Sequence, residues 1–135
     1  MSSRIISLLI AAAVIIFAWV AYKIYCKLTD KFKTVKSDEF EKIISSKEIV
    51  VLDVRTAEEF ASGHIINAVN INVYESNFID LAKAELTEEK PVAVYCRSGV
   101  RSRKAASQLT KNGYEVVNLD GGILAWKRHG KAVVC

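Results

Sequence analysis

The sequence predicts an α/β domain with a mostly parallel sheet, preceded by one apolar segment. From about residue 37 onward, short apolar runs alternate with amphipathic segments, which is typical of strand–helix–strand units. The runs themselves, such as "EIVVLDV" at 48–54, are nearly all apolar, as are strands covered on both faces of a parallel sheet. The 135 residues suffice for one small domain and the apolar segment.

The apolar segment, "IISLLIAAAVIIFAWVAY", has 18 residues without a charge, from Ile5 to Tyr22. As a helix it would span about 27 Å, close to the hydrocarbon thickness of a bilayer. We predict one transmembrane helix over residues 1–25. The alternatives are a buried core helix and a cleaved signal peptide. A signal peptide has an apolar region of about 7–15 residues that ends in small residues, whereas this run ends in bulky ones.

Flanking charges predict the orientation of this helix. One arginine precedes the apolar run and five lysines follow it, at positions 23, 27, 31, 33 and 36. By the positive-inside rule the domain lies in the cytoplasm, the alternative being export with a cleaved or uncleaved signal. We interpret residues 26–34 as a basic juxtamembrane linker and 35–135 as the domain. The basic stretch lacks interleaved aromatics on a folded platform, so we expect a lipid-facing role and no nucleic-acid partner.

Local signals place the first elements of the domain. Ser37 is predicted to be the N-cap of a helix, "SDEFEKIISS", that has acids in its first turn. The first strand, "EIVVLDV", comes next. Thr56 and Glu59 form a capping box for a short helix that Gly63 ends. "AVNINV" at 68–73 is the second strand candidate.

The alternation continues to the end of the chain. The remaining predicted elements are a helix near 78–86, a third strand at 91–96, a helix at 102–112, a fourth strand at 114–119 and a helical end at 121–130. Gly113 follows the helix at 102–112 as its C′ residue. The lysine-rich stretch at 23–36 is interpreted as a connector.

The chain has three cysteines, Cys26, Cys96 and Cys135, and no C-x-x-C pair. This count and spacing argue against a disulfide framework or a zinc site, so we expect no metal. Cys26 lies at the predicted membrane border as a passive residue, and Cys135 is expected to be frayed. A resolving partner for Cys96 remains an alternative.

Cys96 ends the third strand, at the place where parallel sheets form sites. The next helix is expected to begin near Arg101 or Ser102, so residues 97–101 must turn sharply. Gly99 permits a positive φ in this turn. The backbone N–H groups of such a turn form a nest for anions, with the helix dipole behind them.

Arginines surround the same turn, at Arg97, Arg101 and Arg103. A thiolate stabilised by N–H donors and cations is a nucleophile for an anionic substrate. We therefore predict that Cys96 is a catalytic nucleophile. The alternative is a buried strand-end cysteine beside arginines that only solvate the surface.

Three segments resemble the rhodanese family in order and spacing. "VVLDVRTAEEFASGHIINAVNI" is similar to the family's D-V-R … E-E-F … G-H-I … A-x-N-I signature, "YCRSGVRS" to its active-site loop, and "LDGGILAW" to its closing G-G-x-x-x-W stretch. The resemblance covers roughly residues 35–130. It implies a three-layer α/β/α domain with a five-stranded, mostly parallel sheet.

The resemblance also implies a sulfurtransferase that carries a sulfane sulfur as a persulfide on Cys96, without a metal or organic cofactor. The donor would be a small sulfur-containing anion or a persulfide, and the acceptor cyanide, a thiol or a protein. The residues implied in substrate binding are Arg97, Ser98, Gly99, Val100 and Arg101. Arg101 is expected to meet the sulfonate of a thiosulfate-like donor, and Arg97 to lie at the rim.

Loop length bears on the reaction class. Four residues separate Cys96 from Arg101, whereas the related dual-specificity phosphatases have one more. The shorter loop favours a sulfane sulfur over a phosphoryl group. The alternatives are a non-catalytic rhodanese-like module that docks partners at the membrane, and a phosphatase or arsenate-handling enzyme.

Other residues that match the family are expected to be structural. Asp53 and Arg55, with the acids that follow them, resemble an internal ion pair that ties the first helix after the strand to the sheet. His64 resembles a hydrogen-bonded turn residue. The family's G-H-I-P-G-A reads "GHIINA" here, and Asn67 can take the left-handed conformation of the glycine that it replaces.

Overall fold

The computed structural model describes residues 2–29, 32–46 and 48–135, with the backbone alone for residues 26–29. The chain divides into two compact units, Met1–Lys31 and Phe32–Cys135. The side chains of Cys26 and Lys27 and the whole of Lys31 lie outside the part of the chain that the structure describes.

In the first unit, residues 3–29 form the helix α1 (Ser3–Thr29). Its stretch from Ser3 to Tyr25 has a mean hydropathy of 2.6, and no part of it is buried. By length and composition α1 can cross a membrane, although a signal sequence near the amino terminus has the same features.

The second unit is a parallel sheet with helices between its strands. The strands are β1 (Lys33–Val35), β2 (Val50–Asp53), β3 (Val69–Asn70), β4 (Val92–Tyr95) and β5 (Val116–Leu119). The helices are α2 (Ser37–Ser46), α3 (Ala57–Ala61), α4 (Phe78–Glu85), α5 (Val100–Lys111) and α6 (Gly122–Arg128). The strand order is β1-β5-β4-β2-β3, and every pair is parallel. This confirms the predicted five-stranded α/β fold.

Helices cover both faces of the sheet. On one face, Phe78 of α4 and Leu109 of α5 pack against the apolar side chains of β2, β4 and β5. On the other face, Phe40 of α2 and Trp126 of α6 meet edge to face, with ring centroids 6.0 Å apart. Each face thus buries its own apolar core, which gives the predicted three layers.

The central strand β4 positions the site. All four of its residues are buried, and it pairs with β2 so that Tyr95 lies beside Asp53. The carboxyl ends of β2 and β4 therefore lie side by side, and Cys96 follows directly after β4. Loops that leave these two strand ends are brought to one edge of the sheet.

Two strands differ from the sequence-based expectation. β1 lies inside the stretch interpreted as a connector, and its residues are exposed except Val35. Its sequence, Lys-Thr-Val, is too short to carry an apolar pattern, and pairing with β5 forms the strand. In "AVNINV" only Val69 and Asn70 are in the ladder, although the amides of Ile71 and Val73 still donate to the carbonyls of Asp53 and Val54.

Of three predictions about helix ends, one is wrong and two are confirmed. Ser37 is the first residue of α2, and its buried hydroxyl has no hydrogen-bond partner among the described residues, so it is not the N-cap. The Thr56–Glu59 capping box is present. Gly113 follows α5 with φ of 90°, as predicted. α5 itself begins at Val100, one or two residues earlier than expected.

Candidate active site

Cys96 lies between β4 and α5 and is only 1% exposed. Its Sγ accepts a hydrogen bond from the backbone N–H of Gly99 at 3.0 Å. The bond requires the chain to turn back over the sulfur within three residues, and Gly99 permits this with φ of 104°. Arg97, Ser98 and Val100 form the exposed part of this loop.

The amino end of α6 holds the loop from behind. The amide of Ile123 donates to the carbonyl of Cys96 at 2.9 Å, and that of Leu124 donates to the carbonyl of Arg97 at 3.1 Å. A trans peptide points its N–H opposite to its C=O. The amide N–H groups of Arg97 and Ser98 therefore point away from α6.

Gly122 makes this contact between α6 and the loop possible. Its φ is 59°, and a Cβ built on it would clash with the carbonyl groups of Cys96 and Arg97. No side chain fits between α6 and the loop at this position. The sequence contains the glycine pair in "LDGGILAW", but gives no sign that Gly122 touches the Cys96 loop.

Arg101 is bound by Glu59 of α3. Its Nη1 and Nη2 donate to Oε1 and Oε2 at 2.6 and 2.9 Å, and the two side chains are 16% and 28% exposed. The hydrogen bonds from Arg101 lower the pKa of Glu59 from 4.5 to about 2, and those to Glu59 raise the pKa of Arg101. The two terminal nitrogens expected to meet a donor anion are already engaged by a carboxylate.

Asp53 and Arg55 form a separate, buried ion pair. Arg55 donates from Nε and Nη2 to the Asp53 carboxylate, the shortest distance being 2.7 Å, and Nη2 also donates to the carbonyl of Gly63. Burial alone would lower the pKa of Arg55, but the bonds and charge of Asp53 outweigh it and raise that pKa. The pair ties the end of β2 to the turn at Gly63. The acid Glu59 is engaged by Arg101 and not by this pair.

Tyr95 completes the support under this turn. Its hydroxyl accepts the amide N–H of Ile65 at 3.0 Å, and the Arg55 guanidinium lies 5.7 Å from its ring centroid. Burial raises the pKa of Tyr95, so the hydroxyl stays neutral. The sequence contains no local signal for this role, because Tyr95 and Ile65 are 30 residues apart.

His64 joins the turn to the end of the chain. Its Nδ1 lies 2.9 Å from the carbonyl of Phe60, and its ring stacks on the Phe60 ring. The backbone of His64 forms an antiparallel bridge with Val134, which holds the last residues of the chain against this turn. Cys135 is exposed, with its Sγ 3.8 Å from the carbonyl of Ser62. Among the residues that the structure describes, no three side chains are grouped to hold a metal ion.

These elements define a class of protein: a parallel α/β domain in which the sulfur of a strand-end cysteine accepts a backbone N–H at the start of a helix. The profile of the rhodanese-like domain family matches residues 36–129, and the chain belongs to this family.

Three relatives illustrate the match. A protein named sulfurtransferase from Allochromatium vinosum is 36% identical over 95 residues, which are 70% of this chain and 86% of that protein. A protein named thiosulfate sulfurtransferase GlpE from Coxiella burnetii is 31% identical over 99 residues, 73% of this chain and 90% of that one. The crystal structure of a rhodanese-related protein from Thermoplasma volcanium superimposes with a TM-score of 0.69 at 32% identity, covering 76% of this chain and 98% of that chain.

Proposed function

We propose that this protein is a sulfurtransferase that carries a sulfane sulfur as a persulfide on Cys96. The observation that carries this proposal is the hydrogen bond from the Gly99 N–H to Sγ, within a loop whose carbonyls are turned away by α6. The same N–H groups can hold the negative terminal sulfur of a persulfide. The relatives named sulfurtransferase support the reaction class.

The first half-reaction loads the cysteine. The Cys96 thiolate attacks the outer sulfur of a thiosulfate-type donor, the donor's S–S bond breaks, and sulfite leaves with the bonding electron pair. With an alkyl persulfide as donor, the leaving group is a thiolate. Negative charge develops on the leaving group, and the loop amides stabilise it.

The second half-reaction removes the sulfur from the Cys96 persulfide. An acceptor thiolate or cyanide attacks the terminal sulfur of the persulfide, the Cys96 S–S bond breaks, and the electron pair returns to Cys96 as thiolate. The acceptor leaves as a persulfide or as thiocyanate. No outside oxidant or reductant is needed, because one sulfur moves between two nucleophiles.

We further propose that α1 anchors the protein in a membrane with the domain on the cytoplasmic side. The length and mean hydropathy of α1 support a span. The single arginine before it and the lysines after it support this orientation.

Mass spectrometry of the full-length chain in detergent tests the proposed chemistry. After thiosulfate and removal of excess donor, we expect an adduct of about 32 Da, one sulfur atom, on Cys96. Cys135→Ser should still acquire it, and Cys96→Ser should not. An unchanged wild-type mass with thiosulfate and with an alkyl persulfide would contradict the proposal and favour the non-catalytic module.

A further inference from the structure

A surface patch beside the Cys96 loop contains Tyr74, Val100, Arg103 and Lys104; we call it the α5 face. Val100 is the first residue of α5 and is 74% exposed. Arg103 and Lys104 follow three and four residues later, which places them on the same side of the helix. Lys104 Nζ lies 5.9 Å from the Tyr74 ring centroid, so Tyr74, 64% exposed, borders the same face.

The charge of the α5 face is positive. α5 contains no acidic residue. The Glu59 carboxylate also reaches α5, where Arg101 pairs with it at 2.6 Å. Two further acidic residues lie beside the face: Asp120, whose carboxylate is 4.0 Å from Arg103, and Glu75, which follows Tyr74. Both are exposed, and the loop adds Arg97 as a further exposed cation. The site therefore presents cations to solvent around a sulfur that is itself buried.

The apolar part of the face has no use in binding a small anion. Thiosulfate or cyanide needs N–H donors and charge, which the loop supplies. An exposed valine and tyrosine beside the reactive sulfur instead bury apolar area when they contact a larger surface, which favours binding of a protein. Charge surrounding an apolar centre is the composition of a protein-docking site.

We propose that the α5 face docks an acidic protein segment that carries the acceptor thiol, and so selects this acceptor over small thiols. This inference rests on the proposed function. In the transfer, the segment's thiolate, having lost its proton to solvent, attacks the terminal sulfur of the Cys96 persulfide. The electron pair of the broken S–S bond returns to Cys96, and the segment departs as a persulfide.

A protein segment fits this face better than RNA does. Tyr74 is the aromatic residue of the face, and the Lys104 ammonium lies over one side of its ring, so a base that stacked on that side would displace it. Val100, at the centre, offers an apolar contact that a phosphate backbone cannot use.

The test uses the full-length protein in nanodiscs of zwitterionic lipid, loaded with thiosulfate. Two synthetic peptides each carry one cysteine, flanked by glutamates in one and by lysines in the other, and are compared at equal thiolate concentration. The variants are Arg103→Glu and Lys104→Glu. Lys90→Glu is the matched control, because Lys90 lies in the turn before β4, at the opposite end of that strand from Cys96.

We expect the acidic peptide to discharge the persulfide on the order of tenfold faster than the basic one, and this preference to fall as salt is raised. Each charge reversal at the α5 face should remove most of the preference. Lys90→Glu should leave it intact, and discharge by 2-mercaptoethanol should be unchanged in all three variants.

Equal rates with the two peptides would overturn the inference. The inference would also fail if the charge reversals slowed discharge by 2-mercaptoethanol as much as discharge by the acidic peptide. It would fail if they had an effect only in nanodiscs that contain anionic lipid, or if they weakened binding of an RNA oligonucleotide but left discharge by the peptide unchanged. In each of these cases the Cys96 persulfide still forms. If no persulfide forms, the proposed function fails instead.

Discussion

Arg101 and Glu59 form a two-point ion pair that joins the first turn of α5 to α3. The pair spans 42 residues of sequence, with N···O distances of 2.6 and 2.9 Å. Glu59 Oε1 also accepts the amide of Thr56 in the capping box. One carboxylate thus serves the start of α3 and the arginine that closes the Cys96 loop.

Arg101→Ala tests whether this arginine reaches the donor despite Glu59. If the guanidinium also stabilises the departing sulfite, its loss removes a charged hydrogen bond worth roughly 1.5–3 kcal/mol. The kcat/KM for thiosulfate should then fall on the order of 10–150-fold. Arg101→Lys should recover only part of this, because lysine lacks the planar fork. The kcat/KM for an alkyl persulfide, which has no sulfonate, should fall much less.

The control for Arg101→Ala is Lys90→Ala, which removes a cation remote from Cys96. It should leave kcat/KM unchanged for both donors. Equal losses with thiosulfate and alkyl persulfide would show that Arg101 acts by holding the loop through Glu59. In that case Glu59→Gln should reproduce the same loss with both donors.

The ion pair also predicts how stability depends on pH. The pKa of Glu59 is lowered from 4.5 to about 2, chiefly by hydrogen bonds from Arg101. A carboxyl whose pKa is lowered on folding stabilises the fold above its unfolded pKa and loses this contribution as pH falls toward its folded pKa. The stability advantage of wild type over Glu59→Gln should therefore shrink from about pH 4.5 to about pH 2. Urea unfolding of both proteins at a series of pH values measures this difference in the free energy of unfolding. A constant difference over this range would contradict a Glu59 pKa lowered by Arg101.

Sequence alone predicts those parts of the fold that have a strong local pattern. β2, β4 and β5 are short apolar runs, and the capping box of α3 depends on residues three apart. β3 lies within the strand predicted at 68–73, whereas β1 has only three residues and is a strand through its pairing with β5. Such pairing depends on distant partners, so no local signal marks it.

The candidate site divides in the same way. Cys96, Gly99 and the positive loop are contiguous, so their nest could be predicted from strand-to-helix geometry. The partner of Arg101 could not, since the capping box already explains why Glu59 occurs where it does. The two α6 amides that hold the loop carbonyls belong to residues 27 positions after Cys96 and Arg97, and only the folded chain brings them together. The catalytic role of Cys96 remains a prediction.

Asp53 is predicted to contribute to stability and not to catalysis. Asp53→Asn leaves the Arg55 guanidinium, 4% exposed, without its carboxylate, and breaking a buried pair costs about 3–5 kcal/mol. Glu39→Gln, which breaks an exposed pair with Lys33, is the control and should cost at most about 1 kcal/mol. The free energy of unfolding in urea and the persulfide formed per folded molecule should be measured together. A stable variant without activity would contradict a structural role.

The orientation of α1 is tested by protease protection in intact cells with a permeable outer layer. With the domain in the cytoplasm, added protease should leave it whole until the inner membrane is opened. The protein should also stay with membranes through carbonate and high-salt washing. Digestion from outside would show the reverse orientation, and release by washing would argue against a span.

Gly122→Ala tests whether contact with α6 sets the geometry of the Cys96 loop. The alanine Cβ would overlap the carbonyls of Cys96 and Arg97, which are fixed by hydrogen bonds to α6. Gly130→Ala is the matched control, because Gly130 also has a positive φ, 73° against 59°, but open space around its Cβ position.

Both substitutions incur the left-handed backbone cost of about 1–2 kcal/mol. Gly122→Ala should cost a further 1–3 kcal/mol, roughly, because the crowded backbone must shift. The same shift turns the loop amides away from Cys96, so persulfide formation per folded molecule should fall in Gly122→Ala and stay normal in Gly130→Ala. Equal destabilisation of the two variants, with normal persulfide formation in both, would show that α6 does not control the loop.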